Sequence, residues 1–432
     1  MHSSGEGKKQ TRNVPIKTFV SDSVAIPMSM HIGAPSKPCV QKGDKVKRGQ
    51  VIGEAVGPLG LPIHSSISGE VVSVEERLLF GGAPVVTVTI NNDFTDEWVE
   101  GIQGHGNVET IDPSLIVPII RDAGICGMGG ATFPTHVKLT IPEGKTCDTI
   151  IINGAECETY LTSDYRLMLE KPKRVVDGLR AAMRAINVHR GIIAIEDNKM
   201  EAVQAMREAA RGRDGVEVCV LRTKYPQGGE KQLIKALTGR EVPSGKLPLD
   251  VHTIVINAAT AAAIADAVID GLPLTERITT VTGAVNKPSN LQVRIGTMFE
   301  DIISACEGYS EEPGKIIAGG GMTGPCTYDD TMPVTKGGGG IVVLSMKDAK
   351  CAPESPCIRC ARCVEVCPMG LDPFKIKNFC LVGDIKGAKD HYVMDCIMCG
   401  SCSYVCPARR QLTAAFKEVK TAIMQEARRQ KQ

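Results

Sequence analysis

The sequence predicts a multidomain α/β protein with four parts: a β domain, a parallel-sheet α/β domain, a small β module and a C-terminal α domain. Three observations carry that reading. Apolar and polar residues alternate over much of the first hundred positions, short β-branched runs then alternate with helix-length stretches, and two cysteine runs of identical spacing lie near the end. At 432 residues the chain is long enough for about three separate cores. Its net charge of +1 gives no overall field toward nucleic acid or a lipid surface. A single tryptophan, Trp98, provides no stacking platform for single strands. The longest apolar stretch, 254–272, is interrupted by Asn257, Asp266 and Asp270 and falls short of a membrane span.

Residues 1–22 are polar and Ser/Lys-rich, and they are expected to form a loosely ordered start. Within the first domain, 1–105, the stretches 40–54 and 62–74 carry period-two patterning between Gly/Asp turns. The pair resembles the two halves of a biotinyl/lipoyl-type barrel sandwich. The hairpin that carries a modified lysine in carrier members reads His64-Ser65-Ser66-Ile67-Ser68-Gly69 here, so a scaffold or docking role is expected.

In the second domain, 106–272, strands are expected at 149–153, 191–195, 216–221 and 252–257, with helices at 173–186, 199–210 and 230–237. Such alternation predicts a parallel sheet covered on both faces, with ligands at the carboxyl ends of its strands. Residues 273–345 offer strands near 278–283 and 292–297, a helix over 298–306 and glycine turns at 319–321 and 337–340, which suggests a small β-grasp domain. The last domain, 346–432, ends in a helix with Leu412, Phe416, Val419 and Ile423 on one face, read as an amphipathic docking helix.

That last domain holds the strongest chemical signal. Cys357-x2-Cys360-x2-Cys363-x3-Cys367-Pro and Cys396-x2-Cys399-x2-Cys402-x3-Cys406-Pro repeat one spacing. In two-cluster ferredoxins three closely spaced thiolates wrap one cube and the cysteine before proline ligates the other. On that rule Cys357, Cys360, Cys363 and Cys406 hold one 4Fe–4S cluster, and Cys396, Cys399, Cys402 and Cys367 hold the second, in a ferredoxin-like fold. Paired structural zinc sites are the competing reading, but zinc usually draws two cysteines from each of two distant elements. Nine further scattered cysteines fit a reducing compartment better than a disulfide framework. Cys126 and Cys157, beside the glycine motifs, are expected to act as small fillers.

The second signal is Gly124-Ile-Cys-Gly127-Met-Gly129-Gly130-Ala-Thr-Phe133-Pro-Thr-His-Val-Lys138. Clustered glycines let backbone N–H groups approach an anion, yet the spacing fits neither the dinucleotide fingerprint nor the P-loop. Together with Asn153-Gly-Ala-Glu156-Cys-Glu158, Lys224-Tyr225-Pro-Gln-Gly228-Gly-Glu230 and the double cysteine run, it resembles the RnfC family. RnfC is the subunit of the Rnf ion-translocating complex that accepts electrons from NADH. The middle domain is similar to the NADH-oxidising flavoprotein subunit of respiratory complex I.

The resemblance implies that Gly127, Gly129, Gly130, Phe133 and Lys138 line an FMN, that Asn153, Glu156, Tyr225, Gly228, Asn257 and Thr260 complete its pocket, and that Glu158 and Glu230 face the nicotinamide nucleotide. It further implies FMN, NADH/NAD+ and two 4Fe–4S clusters as cofactors, and no side chain acting as an acid or base in hydride transfer. Partners would be the other Rnf subunits, with ferredoxin reached indirectly; the protein would sit peripherally on the cytoplasmic side of the membrane. Gly229 and Thr159 depart from the relatives, which carry a glutamate and commonly a proline there. Two competing functions are a soluble paralogue serving a cytosolic reductase and a non-catalytic electron-wiring scaffold.

Overall fold

The computed structural model describes residues 6–80, 82–327 and 329–429. Its framework is four sheets. The N-terminal pair is a small barrel sandwich. Ser23–Pro27, Pro84–Asn92, Gly69–Leu78 and Lys45–Val46 form one sheet, and Lys37–Pro38, Val51–Glu54 and Ile63–His64 form the other. Alternation along the strands buries Val24, Ile26, Ile52, Val71, Val88 and Ile90. The His64–Ser68 segment, which would project in a carrier domain, is instead buried, and the Ser66 hydroxyl donates to the Ile295 carbonyl at 2.6 Å. Its docking partner is this same chain.

Val216–Leu221, Arg190–Glu196, Thr149–Gly154 and Thr253–Asn257 make a parallel sheet in that spatial order. The Ile150-Ile151-Ile152 run serves both faces. Ile150 and Ile152 pack under helices Pro172–Ala185 and Ala258–Asp270, whereas Ile151 joins Leu233 and Ile234 of helix Glu230–Thr238 on the other side. The first two helices cross closely at Gly178, where a Cβ would run into the Ala261 carbonyl oxygen. The expected strands and helices of this domain are all present, within two residues at each end.

Two expectations are corrected. The start of the chain is not loose beyond the first five residues, which lie outside the described ones. Lys8 and Thr11 are buried, and Ile16–Phe19 is the edge strand of the third sheet, parallel to Ser289–Arg294. Polar composition hid this because the segment is held by specific partners: the Asn290 side chain donates to the Thr11 and Val14 carbonyls. That third sheet is the β-grasp module, ordered Ile16–Phe19, Ser289–Arg294, Glu276–Gly283, Gly340–Ser345, Pro313–Ala318, so the module recruits a strand from the far end of the sequence.

The second correction concerns the terminal helix, Leu412–Arg429. Its apolar face is not left for a partner: Leu412, Phe416, Val419 and Ile423 pack on Leu371, Ile376, Ala388 and Val393 of its own domain. No helix among the described residues is long and apolar enough to cross a membrane.

A charge network ties the barrel sandwich to the β-grasp sheet. Arg48 and Arg294 each bridge Asp96 and Glu276 at 2.6–2.9 Å, and the Arg48 guanidinium stacks 4.1 Å from the Trp98 ring centroid.

Candidate functional site

The carboxyl ends of the parallel strands open onto a cavity of about 930 Å³, walled on its far side by the β-grasp module and reached by the cysteine domain. Strand ends deliver Asn153 and Asn257, the loop after the first strand delivers Glu156 and Glu158, and the glycine motif delivers Gly129 and Gly130. Gly228 completes this set of expected residues on the wall. At Gly129 a Cβ would press 2.9–3.0 Å against the Asn257 side chain, while Gly130, at φ +147°, faces open space. The loop therefore uses glycine both to pack tightly and to leave its backbone bare.

Local hydrogen bonds hold this wall in shape. The Asn257 carboxamide oxygen accepts from the N–H groups of Ala259 and Thr260 and so caps helix Ala258–Asp270, and its nitrogen donates to Asp164 at 2.6 Å. Asn153 donates to the Gly228 carbonyl at 2.9 Å. Glu156 accepts from Asp164 N–H at 2.7 Å at the start of helix Ser163–Glu170, and Lys8 stands 3.7 Å away. Burial pushes the Glu156 carboxyl up to about 7, against the pull of Lys8. The Cys157 thiol accepts from Gly228 N–H at 3.3 Å, and burial raises it to about 12, far from a reactive thiolate.

Six expected residues are not part of the cavity lining. Gly127 N–H donates to the Phe133 carbonyl at 2.8 Å, closing the glycine loop, and the Thr260 hydroxyl accepts from Met128 N–H at 2.8 Å. Lys138 donates to the Val255 carbonyl at 3.0 Å and lies 3.4 Å from Glu230, so residues expected on opposite halves of the pocket are paired with each other. The Tyr225 hydroxyl lies 2.7 Å from the Cys399 carbonyl oxygen and 3.3 Å from Glu158. Glu158 also receives Met322 N–H and the Thr323 hydroxyl, which fastens the glycine turn at 319–321 over the cavity.

Sequence reasoning missed the opposite wall. Gly337–Gly340, read as a turn, lines the cavity, as do Ser163, Asp164 and Arg277. The two glycine runs were a usable signal; nothing in the sequence marked Arg277.

The cysteines fall into two groups. Cys357, Cys360, Cys363 and Cys406 line one small cavity. In the other, burial and then the nearby Cys399 and Cys367 push the Cys396 thiol up, and burial together with Cys396 and Cys399 pushes Cys402 up. Cys406 thus shares a cavity with the three closely spaced cysteines of the other run. Arg359 and Ala361 in one run and Met398 and Gly400 in the other have positive φ at equivalent positions, so the repeat is one of backbone as well as spacing. N–H groups of Met398 and Leu371 point at the Cys396 and Cys367 sulfurs at 3.4 Å, the kind of contact that tunes a cluster. The second group adjoins the large cavity, whose wall includes Ile397 and Met398, while Cys357 and Cys360 are exposed.

Both sites fit the implied groups. A cavity of several hundred cubic ångströms with bare glycine backbone and a few convergent polar groups suits a flavin nucleotide. Four cysteines on one small cavity, and a second set near one another, supply the thiols that a pair of cubane clusters would take.

Comparison with known proteins agrees in each region. Family models match at residues 3–95 (RnfC barrel sandwich hybrid domain), 120–266 (Nuo51 FMN-binding domain), 278–325 (SLBB domain) and 356–410 (4Fe-4S dicluster domain). A component of the Na+-translocating ferredoxin:NAD+ oxidoreductase complex of Acetobacterium woodii is 46% identical over 98% of this chain and 96% of its own length. Its counterpart in the proton-translocating ferredoxin:NAD+ oxidoreductase complex of Clostridium ljungdahlii is 48% identical over 90% of this chain and 83% of its own. An NAD+-reducing NiFe-hydrogenase in the air-oxidized state shares the fold, with TM-score 0.50 and 20% identity over 73% of this chain and 58% of that one. Fold and site together define an iron–sulfur flavoprotein with an FMN domain and a 4Fe–4S dicluster domain. The chain belongs to the RnfC family.

Proposed function

We propose that this chain is the electron-input subunit of a membrane-bound, ion-translocating NADH:ferredoxin oxidoreductase. It exchanges electrons between NADH and FMN, in either direction, and passes them singly through two 4Fe–4S clusters to partner subunits. The observation that carries the reading is a shared wall: the flavin-sized cavity is bounded by Ile397 and Met398, between Cys396 and Cys399, and the Tyr225 hydroxyl meets the Cys399 carbonyl. When bound, flavin supplies the exchange between hydride and single-electron chemistry, and the clusters supply one-electron carriage.

The protein's own residues position and tune. Gly127, Gly129, Gly130 and Phe133 shape the loop that receives the flavin; Asn153, Glu156, Gly228, Asn257 and Thr260 fix the strand ends beneath it; Glu158 and Glu230 face the nucleotide, with Lys138 and Tyr225 orienting them. Cys357, Cys360, Cys363 and Cys406 hold one cluster and Cys396, Cys399, Cys402 and Cys367 the other. Cys357 and Cys360 are exposed, so a cluster held by the first group would lie within reach of an electron partner. With no long apolar helix among the described residues, attachment at the cytoplasmic face is peripheral and depends on partner subunits.

Anaerobic purification with iron, sulfide and flavin analysis, followed by NADH-driven reduction of an artificial acceptor, tests the reading. Two full clusters, one FMN and NADH-dependent turnover are expected. A flavin-loaded chain inert to NADH would make it a wiring scaffold, and stable zinc without reducible clusters would refute the ligand sets.

A further inference from the structure

Arg277, at the start of strand Glu276–Gly283 in the β-grasp module, is buried to 4% exposure in the wall of the large cavity. One Nη donates to the Lys336 carbonyl at 3.2 Å, and the other lies where Gly339 leaves room, since a Cβ there would come within 2.7 Å of it. Nε has no partner. Asp164 acts on the guanidinium through charge alone, without a hydrogen bond, and burial works against its ionisation. A buried guanidinium so poorly satisfied is costly unless something anionic meets it. Lys138, the cation expected to serve the flavin, is not part of the cavity lining and is engaged with Val255 and Glu230.

We propose that Arg277 is the anion-recognising residue of the flavin cavity and takes the terminal phosphate of bound FMN. The inference rests on the flavin reading above and names a residue from a different domain. Two features favour the phosphate over the ring. A phosphate monoester is charged in every redox state of the cofactor, as a permanently charged arginine requires, and the guanidinium fork matches its oxygens. The arginine also lies against Gly339 of one glycine run, in a cavity that Gly129 and Gly130 of the other also line, and bare backbone of this kind suits phosphate oxygens. The β-grasp module is thereby part of the cofactor site.

The test is titration of the whole deflavinated chain with FMN and with riboflavin, which lacks the phosphate, followed by flavin fluorescence. Wild type should prefer FMN. Arg277→Gln should weaken FMN about ten- to a hundredfold and leave riboflavin unchanged, and Arg277→Lys should weaken FMN less. Inorganic phosphate should compete with FMN, and not with riboflavin, on wild-type protein; this measurement needs no variant to fold. Equal loss of both flavins in Arg277→Gln, or FMN binding indifferent to phosphate and to the substitution, would overturn the proposal. Wild-type protein that takes up neither flavin would bring down the cavity reading itself.

Discussion

Glu230 and Lys138 show what a local motif conveys and what it omits. Their motifs were legible in the sequence, but the ion pair between them joins positions 92 residues apart, and no spacing rule reports that. Glu230→Gln is expected to raise the apparent Michaelis constant for NADH about ten- to a hundredfold while the protein still purifies with FMN and both clusters. Because Lys138 and Glu230 touch, Lys138→Ala should not add independently, and the double variant should lose less than the sum of the singles. Steady-state kinetics with flavin quantification checks both. His64 yields a prediction of a different kind. Burial, reinforced by Lys336, depresses its imidazole to about 3. The unfolded state then binds the proton more readily, so the contribution of this residue is level well above pH 6.5 and falls as pH drops from there toward 3. At pH 5 the loss is about 2 kcal/mol from this residue. His64→Gln should flatten the fall between pH 7 and pH 5 in urea unfolding, and an unchanged slope would contradict it.

Among elements, those whose stability comes from periodic burial were readable from sequence. The Ile150-Ile151-Ile152 run announces a strand covered on both faces, and Val175, Val176 and Leu179 announce a helix with one buried stripe. The edge strand Ile16–Phe19 escaped notice because it is four residues long and half exposed, and it gains its place by pairing with Ser289–Arg294 across the length of the chain. The terminal helix had a correct apolar face assigned to the wrong occupant: periodicity identifies a face that must be covered and says nothing of what covers it. Phe416 is 1% exposed in the core of the cysteine domain. Phe416→Ala is expected to cost about 3–5 kcal/mol in that domain and to lower iron content, while flavin content holds. Iron lost together with flavin would mean that the cysteine domain does not fold as a separate core.

At the scale of the molecule, four domains converge on one cavity. The parallel sheet supplies its floor, the β-grasp module closes it through Arg277 and through Met322, whose N–H donates to Glu158, and the second cysteine run forms its outer edge. The two cysteine runs stood out in the sequence because their repeated spacing is local; the far wall did not, because it is assembled by tertiary contact. The barrel sandwich is tied to the β-grasp sheet by the ion pairs of Arg48 and Arg294 with Glu276, the residue before Arg277. The central claim is that this cavity and the clusters form one electron path. It is tested by poising the whole chain, anaerobically and with both cofactors loaded, at a series of NADH/NAD+ ratios while cluster spins are counted by EPR. The account predicts that the reduced-cluster signal follows the ratio, in wild type and not in Glu230→Gln at limiting nucleotide. Clusters that dithionite reduces but that stay indifferent to the nucleotide ratio, in a chain whose flavin responds to it, would contradict it.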